Sequence, residues 1–163
     1  MKKFIIFLSI AALFFSWQWQ NAKAGEDATF YQNAADFAYK FPAMIQNKTG
    51  RLCTYGYDQV ITLLENNHNT EVVFFRDGHL KDFEHKNCKV LYISKNMGKD
   101  YLAIEIANRF RVVSISLDEE FLDNGGLFLM QMGRRNFELV ANKNKMKLYD
   151  IKFDYMASNL IVN

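Results

Sequence analysis

The stretch Cys88–Ser94 reads "CKVLYIS", and its apolar run is nearly continuous. A strand with one wet face alternates apolar and polar side chains, whereas a strand covered on both faces does not. This stretch therefore predicts a strand buried on both sides. Its flanks agree. Upstream, "EVVFFRD" (Glu71–Asp77) is rich in β-branched and aromatic residues, and Asp77-Gly78 closes it with a turn. Further upstream, "RLCTYGY" (Arg51–Tyr57) reads as a short strand ending at Gly56. Between these two strands lies "DQVITLLENN", a helix that Asp58 can cap through its side-chain oxygen. Downstream, "KDYLAIEIANRF" has helical spacing, and "RVVSIS" (Arg111–Ser116) is a fourth strand.

Strand and helix thus alternate from Arg51 to Ser116. That order argues for parallel strands joined by right-handed crossovers, with helices on both faces of the sheet. After Ser116 the pattern changes. "GGLFLMQM" and "RNFELVA" are two apolar strands separated by Gly133 and Arg134. So short a link makes an antiparallel hairpin. The fold class expected is α/β: a mostly parallel sheet, helices on both faces, and a C-terminal antiparallel hairpin.

The glycines here invite a second reading, as a phosphate cradle beside Arg134 and Arg135. A phosphate loop needs its glycines after a strand and at a helix N-terminus. Gly125-Gly126 instead precede a strand, and Gly133 sits in the hairpin turn, where a positive φ is wanted. The two arginines read as solvated turn residues.

At the N-terminal side, "TFYQNAADFAYKF" (Thr29–Phe41) places Phe30, Ala34, Phe37, Ala38 and Phe41 at amphipathic-helix spacing, ahead of Pro42. At the other end a short helix is expected near Lys143–Tyr149. A second would run from Phe153, with Tyr155, Met156, Asn159 and Leu160 along it.

Half of the 163 residues are hydrophobic and 15% are aromatic, enough for one domain with a real core. The first residues are distinct. Lys2 and Lys3 precede "FIIFLSIAALFF" (Phe4–Phe15), and Ala22-Lys23-Ala24 follows a short polar piece. Basic start, apolar run and A-x-A site make a secretory signal peptide, residues 1–24, with cleavage after Ala24. The run is shorter than the roughly 20 residues of a membrane span. An uncleaved anchor is the competing reading, and the A-x-A site argues against it. Cleavage would remove three of the 20 basic residues and none of the 18 acidic ones, leaving a net charge of −1. No strong field for nucleic acid remains. Residues 25–163 form the single expected domain.

An exported chain meets an oxidising compartment, where its two cysteines, Cys53 and Cys88, tend to be bridged. Both fall on expected strands, and neighbouring strands lie close to the Cα separation that a disulfide needs. A reactive thiol and a metal site on His79, Glu84, His85 and Cys88 compete with this. The spacing of the latter fits no familiar zinc pattern. His68 lies in an Asn-rich polar piece and reads as a surface residue. "SLDEEFLD" holds Asp118, Glu119, Glu120 and Asp123, a set that could do acid–base work but reads more naturally as a solvated loop and helix start. No nucleophile–base signature occurs, and no catalytic residue or cofactor is assigned.

The layout resembles the YfiR family of small periplasmic regulators. The resemblance is carried by "AADFAYKF" ahead of a proline, "LCTYG", "CKVLYIS", and above all "VVSISLDEEFLDNGGLFLMQMGRRNFELVAN". "MASNLIV" stands where the family has its closing helix. Phe41-Pro42 replaces the family's Trp-Pro, and the second cysteine pair of some members is absent. The resemblance implies a Rossmann-like sandwich that binds rather than catalyses. It implies a periplasmic repressor that acts on the sensor region of a membrane-anchored diguanylate cyclase. A second copy of the chain is kept open as a further partner, and a periplasmic small-ligand-binding or envelope-associated domain without a cyclase partner is the alternative. The expected partner surface is the C-terminal part, where Tyr149, Phe153, Tyr155 and Met156 supply more apolar surface than one helix face buries. For any one of these residues, burial in the core is the competing reading.

Overall fold

The computed structural model describes residues 27–76, 83–97, 100–133, 137–153 and 160–162. A long helix α1 (27–44) opens the chain. Then follow β1 (Arg51–Tyr55), α2 (Gln59–His68), β2 (Val73–Phe75), β3 (Cys88–Ile93), α3 (Tyr101–Arg109) and β4 (Val113–Ser116). The chain continues with β5 (Phe128–Met132), β6 (Phe137–Ala141), α4 (Lys143–Tyr149) and β7 (Leu160–Val162). Short 3-10 turns at Phe83–Lys86 and Lys95–Met97 lie on either side of β3.

The strands form one seven-stranded sheet in the order β2-β1-β3-β4-β5-β6-β7. Neighbours are parallel except β5 and β6, which run antiparallel with Met130 opposite Leu139. The expected α/β class, parallel body and hairpin are all present.

Alternation along the strands sorts the core into two layers. Leu52, Val90, Tyr92, Val113 and Ile115 face α1 and α2, which contribute Ala34, Ala38, Phe41, Val60 and Leu64. Cys53, Tyr55, Leu91 and Ile93 face the other way, against Ala103, Ile104 and Ala107 of α3 and the ring of Phe121. Helices therefore cover both faces. This explains the unbroken apolar run of β3, where Val90, Leu91, Tyr92 and Ile93 are all fully buried.

Several boundaries differ from expectation, for physical reasons. The first helix runs on through Pro42 to residue 44. The fourth strand starts two residues late, because Arg111 and Val112 are used to end α3: Val112 N–H donates to Ala107 O and Arg111 N–H to Asn108 O. Gly133 has no positive φ; a Cβ there would instead run into the Glu138 side chain across the hairpin. The hairpin link spans residues 133–136, and Arg134 and Arg135 lie outside the described residues.

The largest correction is at the tail. A helix is expected from Phe153 with Tyr155, Met156, Asn159 and Leu160 along it; residues 154–159 lie outside the described residues, and the residues at its two ends pair in other ways. Phe153 makes an antiparallel bridge with Ile45, and Leu160–Val162 add a parallel strand to β6, with Leu139 opposite Leu160. Leu160–Val162 covers the edge of β6, and the β-branched Ile161 and Val162 suit a strand.

Candidate functional site

Three places in the fold bear on function: the cysteine pair, the carboxyl ends of the central strands, and the surroundings of Tyr149. The cysteines form a disulfide with a Cα–Cα distance of 5.6 Å. It joins neighbouring strands through a bulge. Arg51 pairs with Cys88 but Leu52 pairs with Val90, so Lys89 is the extra residue. Regular alternation would turn Cys88 to the face of Val90. The bulge breaks the alternation, so that Cys88 packs on the Cys53 side. Lys89, 8% exposed, sends its ammonium the other way, to Ile45 O at 2.6 Å. Cys88 is thereby spent on the bridge and not available as a metal ligand or nucleophile. Of the residues weighed with it, His85 is exposed in its 3-10 turn and His79 lies outside the described residues. His68 stacks on the ring of Tyr39, centroids 3.6 Å apart.

Open α/β sheets bind ligands where the strand order reverses, outside the carboxyl ends of the strands. Here that point lies between β1 and β3; its two carboxylates are engaged within the chain, while the buried Ser94 Oγ beside Gly56 has no hydrogen-bond partner among the described residues. Asp58 caps α2 by accepting from Ile61 N–H at 2.9 Å. Its other oxygen accepts from Tyr92 OH at 2.8 Å and from Lys95 N–H at 3.1 Å. Asp100 caps α3 by accepting from Leu102 N–H and also accepts from Tyr55 OH at 2.7 Å. Burial, reinforced by the Asp58 charge, pushes the Tyr92 hydroxyl well above its ordinary pKa. Gly56 leaves no room either, since a Cβ on it would run into Ser94 and Met97. In the acidic run, Asp118 accepts from Glu120 N–H at 3.0 Å and shapes its own loop.

The opposite, amino end of the sheet is different. Asn108, Arg111, Lys145, Leu148 and Tyr149 line a cavity of about 380 Å³. Tyr149, 8% exposed, donates its hydroxyl to Asn108 Oδ1 at 2.8 Å, and burial pushes its pKa up to about 12. Lys145 donates to the same Asn108 oxygen at 3.2 Å and to Gly125 O. Lys48 donates to Arg111 O at 3.0 Å and lies 5.8 Å from the centre of the Tyr149 ring. Burial lowers the Lys145 pKa; burial and the nearby Arg111 charge lower that of Lys48, partly offset by Asp150.

Of the four residues expected at a partner surface, two are among the described residues. Tyr149 is buried as described, and Phe153 packs at ring distance on Phe41 and Phe128. Tyr155 and Met156 lie outside the described residues. The exposed apolar residue of α4 is Leu148, 71% accessible. Sequence reasoning did not single out Lys48, Asn108, Arg111 or Lys145, which come from three segments far apart in the chain. No curated protein matches the chain. A family model described as YfiR/HmsC-like matches residues 27–155, and the chain belongs to that family.

Proposed function

We propose that the protein is an exported, non-enzymatic regulator that binds the periplasmic sensor region of a membrane-anchored diguanylate cyclase and lowers cyclic-di-GMP synthesis. Membership of the YfiR/HmsC-like family across residues 27–155 is the observation that carries this reading. The use of Asp58 and Asp100 as helix caps and tyrosine acceptors supports a binding role over acid–base catalysis. Repression of this kind is a difference in binding energy between two states of the cyclase, and the regulator needs no catalytic group for it. The basic, apolar start of the chain supports export to the periplasm with removal of residues 1–24.

We place partner contact at the C-terminal part of the chain. Tyr149 and Phe153 serve it by holding that part against the core, while Leu148, Tyr155 and Met156 are the residues to test as contacts. Truncating an interface anchor costs roughly 1 kcal/mol of binding or more. The experiment deletes the gene and measures cyclic-di-GMP and surface attachment; both rise under this reading. Alanine variants at Leu148, Tyr155 and Met156 that melt like the parent then locate the contact. Unchanged cyclic-di-GMP after deletion defeats the repressor reading. The alternative, a periplasmic ligand-binding domain without a cyclase partner, draws on the cavity beside Tyr149.

A further inference from the structure

We propose that the cavity beside Tyr149 is a binding site for a small phosphomonoester carrying an apolar group. This stands on the cavity alone and not on the cyclase reading. Three cations, Lys48, Arg111 and Lys145, gather at one end of the molecule, and the two lysines are held in place by neutral oxygens. Lys145 is bonded to Asn108 Oδ1 and Gly125 O, and Lys48 to the Arg111 carbonyl. Among the described residues, none of the three meets a carboxylate at ion-pair distance. Asp150 is the carboxylate felt by Lys48. Among the described residues, Arg111 and Lys145 line the cavity and Lys48 stands beside it with Asp150, a surplus of positive charge that matches a dianion better than a carboxylate.

The donors are also of the right kind. Arg111 lines the cavity with a planar fork of N–H groups suited to phosphate oxygens. Asn108 already accepts from Tyr149 and Lys145 through its oxygen, so its amide N–H groups are the end left for a ligand. Leu148 supplies an apolar wall, with the Tyr149 ring behind it. Burial disfavours the charged lysines, and a bound anion would offset that cost.

Arg111 is held in the left-handed region at φ 52°. It is the residue after the cap of α3, in a hydrogen-bond pattern that usually ends in glycine. A bulky residue kept at such a position fits a ligand clamp.

The test uses the full chain with its disulfide intact, at low ionic strength. Phenyl phosphate, inorganic phosphate, benzoate and phenol are titrated separately and followed by amide shifts. Phenyl phosphate is expected to bind most tightly and to shift Asn108, Arg111 and Lys145. Inorganic phosphate and benzoate bind more weakly, and phenol leaves these amides unmoved. Arg111→Gly, which relieves the backbone and keeps the fold, is expected to weaken phenyl phosphate at least tenfold, with partial recovery in Arg111→Lys. The site is overturned by equal binding in parent and Arg111→Gly, or by no shift in the parent up to roughly 10 mM phenyl phosphate. Benzoate binding as tightly as phenyl phosphate overturns the preference for a dianion, and inorganic phosphate binding as tightly overturns the apolar subsite. None of these outcomes depends on whether gene deletion changes cyclic-di-GMP.

Discussion

Lys48 donates its ammonium to the carbonyl of Arg111 at 3.0 Å, and Arg111 is one of three non-glycine residues with positive φ among those described. The helix end that places Arg111 there is of the Schellman type, with Val112 N–H on Ala107 O at 2.9 Å and Arg111 N–H on Asn108 O at 3.2 Å. A non-glycine residue in the left-handed region costs about 1–2 kcal/mol. Glycine gives back roughly 0.5–1 kcal/mol through the freedom of its unfolded chain. Arg111→Gly is therefore expected to stabilise the fold by about 0.5–1 kcal/mol in denaturant melts. Arg111→Ala keeps the strain and gains nothing of this kind. A protein more stable without its arginine would mean that Arg111 is present for something other than folding.

The disulfide sits at the bulge made by Lys89, which keeps Cys88 on the Cys53 face despite the extra residue. Closing a loop with a sequence separation of 35 stabilises by about 4 kcal/mol in the chain-entropy model. The paired variant Cys53→Ala/Cys88→Ala is expected to lose about 2–4 kcal/mol in urea melts of purified protein. Deleting Lys89 should spare the bridge while costing stability. It makes Cys88 the direct neighbour of Val90, so regular alternation keeps Cys88 on the Cys53 face, and it removes the ammonium from Ile45 O. Non-reducing peptide mapping of the deletion variant should still find the Cys53–Cys88 bridge, and urea melts should read the loss. Two free thiols in that variant would show that the bulge itself sets the approach of the two cysteines.

The parts legible in the sequence were those that repeat along the chain. The apolar run of β3, the alternation of strands and helices, and Asp58 ahead of α2 are local signals, and each was found in place. The closing strand was missed because its stabilisation is not local. Leu160–Val162 is a strand because β6 offers an open edge, and nothing within the tail reports that edge. The bulge at Lys89 escaped for a similar reason, since "CKVLYIS" looks the same with or without it. The cavity was invisible because Lys48, the end of α3 with Asn108 and Arg111, and Lys145 come from three separate segments. The unusual backbone of Arg111 carries no sequence signal, because an arginine after a helix is common and its φ is not written there.

Tyr149 gives the fold a dependence on alkaline pH. Its folded pKa is about 12, raised by burial from 10.0. Between those values the unfolded tyrosine has lost its proton and the folded one keeps it, so stability falls as pH rises. Its contribution is fully present below pH 10 and is lost as pH climbs through about 12. Tyr92, also raised by burial, acts in the same direction. Lys48, Lys89 and Lys145 are lowered from 10.5 and act oppositely just below that value, where the unfolded lysines bind more protons. Comparing the parent with Tyr149→Phe isolates the tyrosine. The variant is expected to show a shallower loss of stability from pH 10 to 12 in urea melts, and an unchanged slope would contradict the burial of Tyr149.

Gly50 sits where the chain enters β1, and three constraints converge on it. Its φ is 123°, outside the range that L side chains normally adopt. A Cβ there would lie 2.5 Å from Asn87 O and 3.0 Å from Lys89 N, both backbone atoms. The next residue, Arg51, donates its N–H to that same Asn87 oxygen at 3.1 Å. A methyl group at residue 50 would therefore strain its own backbone and also push on the turn that leads into the bulge. The disulfide lies just beyond, since Arg51 pairs with Cys88. Gly50→Ala is expected to cost about 2–3 kcal/mol, more than an ordinary surface substitution. It should also make the bridge easier to reduce, because the strain falls on the native geometry that holds Cys88 near Cys53. Urea melts under oxidising conditions, followed by titration with dithiothreitol, read the two effects separately. A variant as stable as the parent, with the same midpoint of reduction, would show that the entry to β1 relaxes around the methyl group and that Gly50 is not required there.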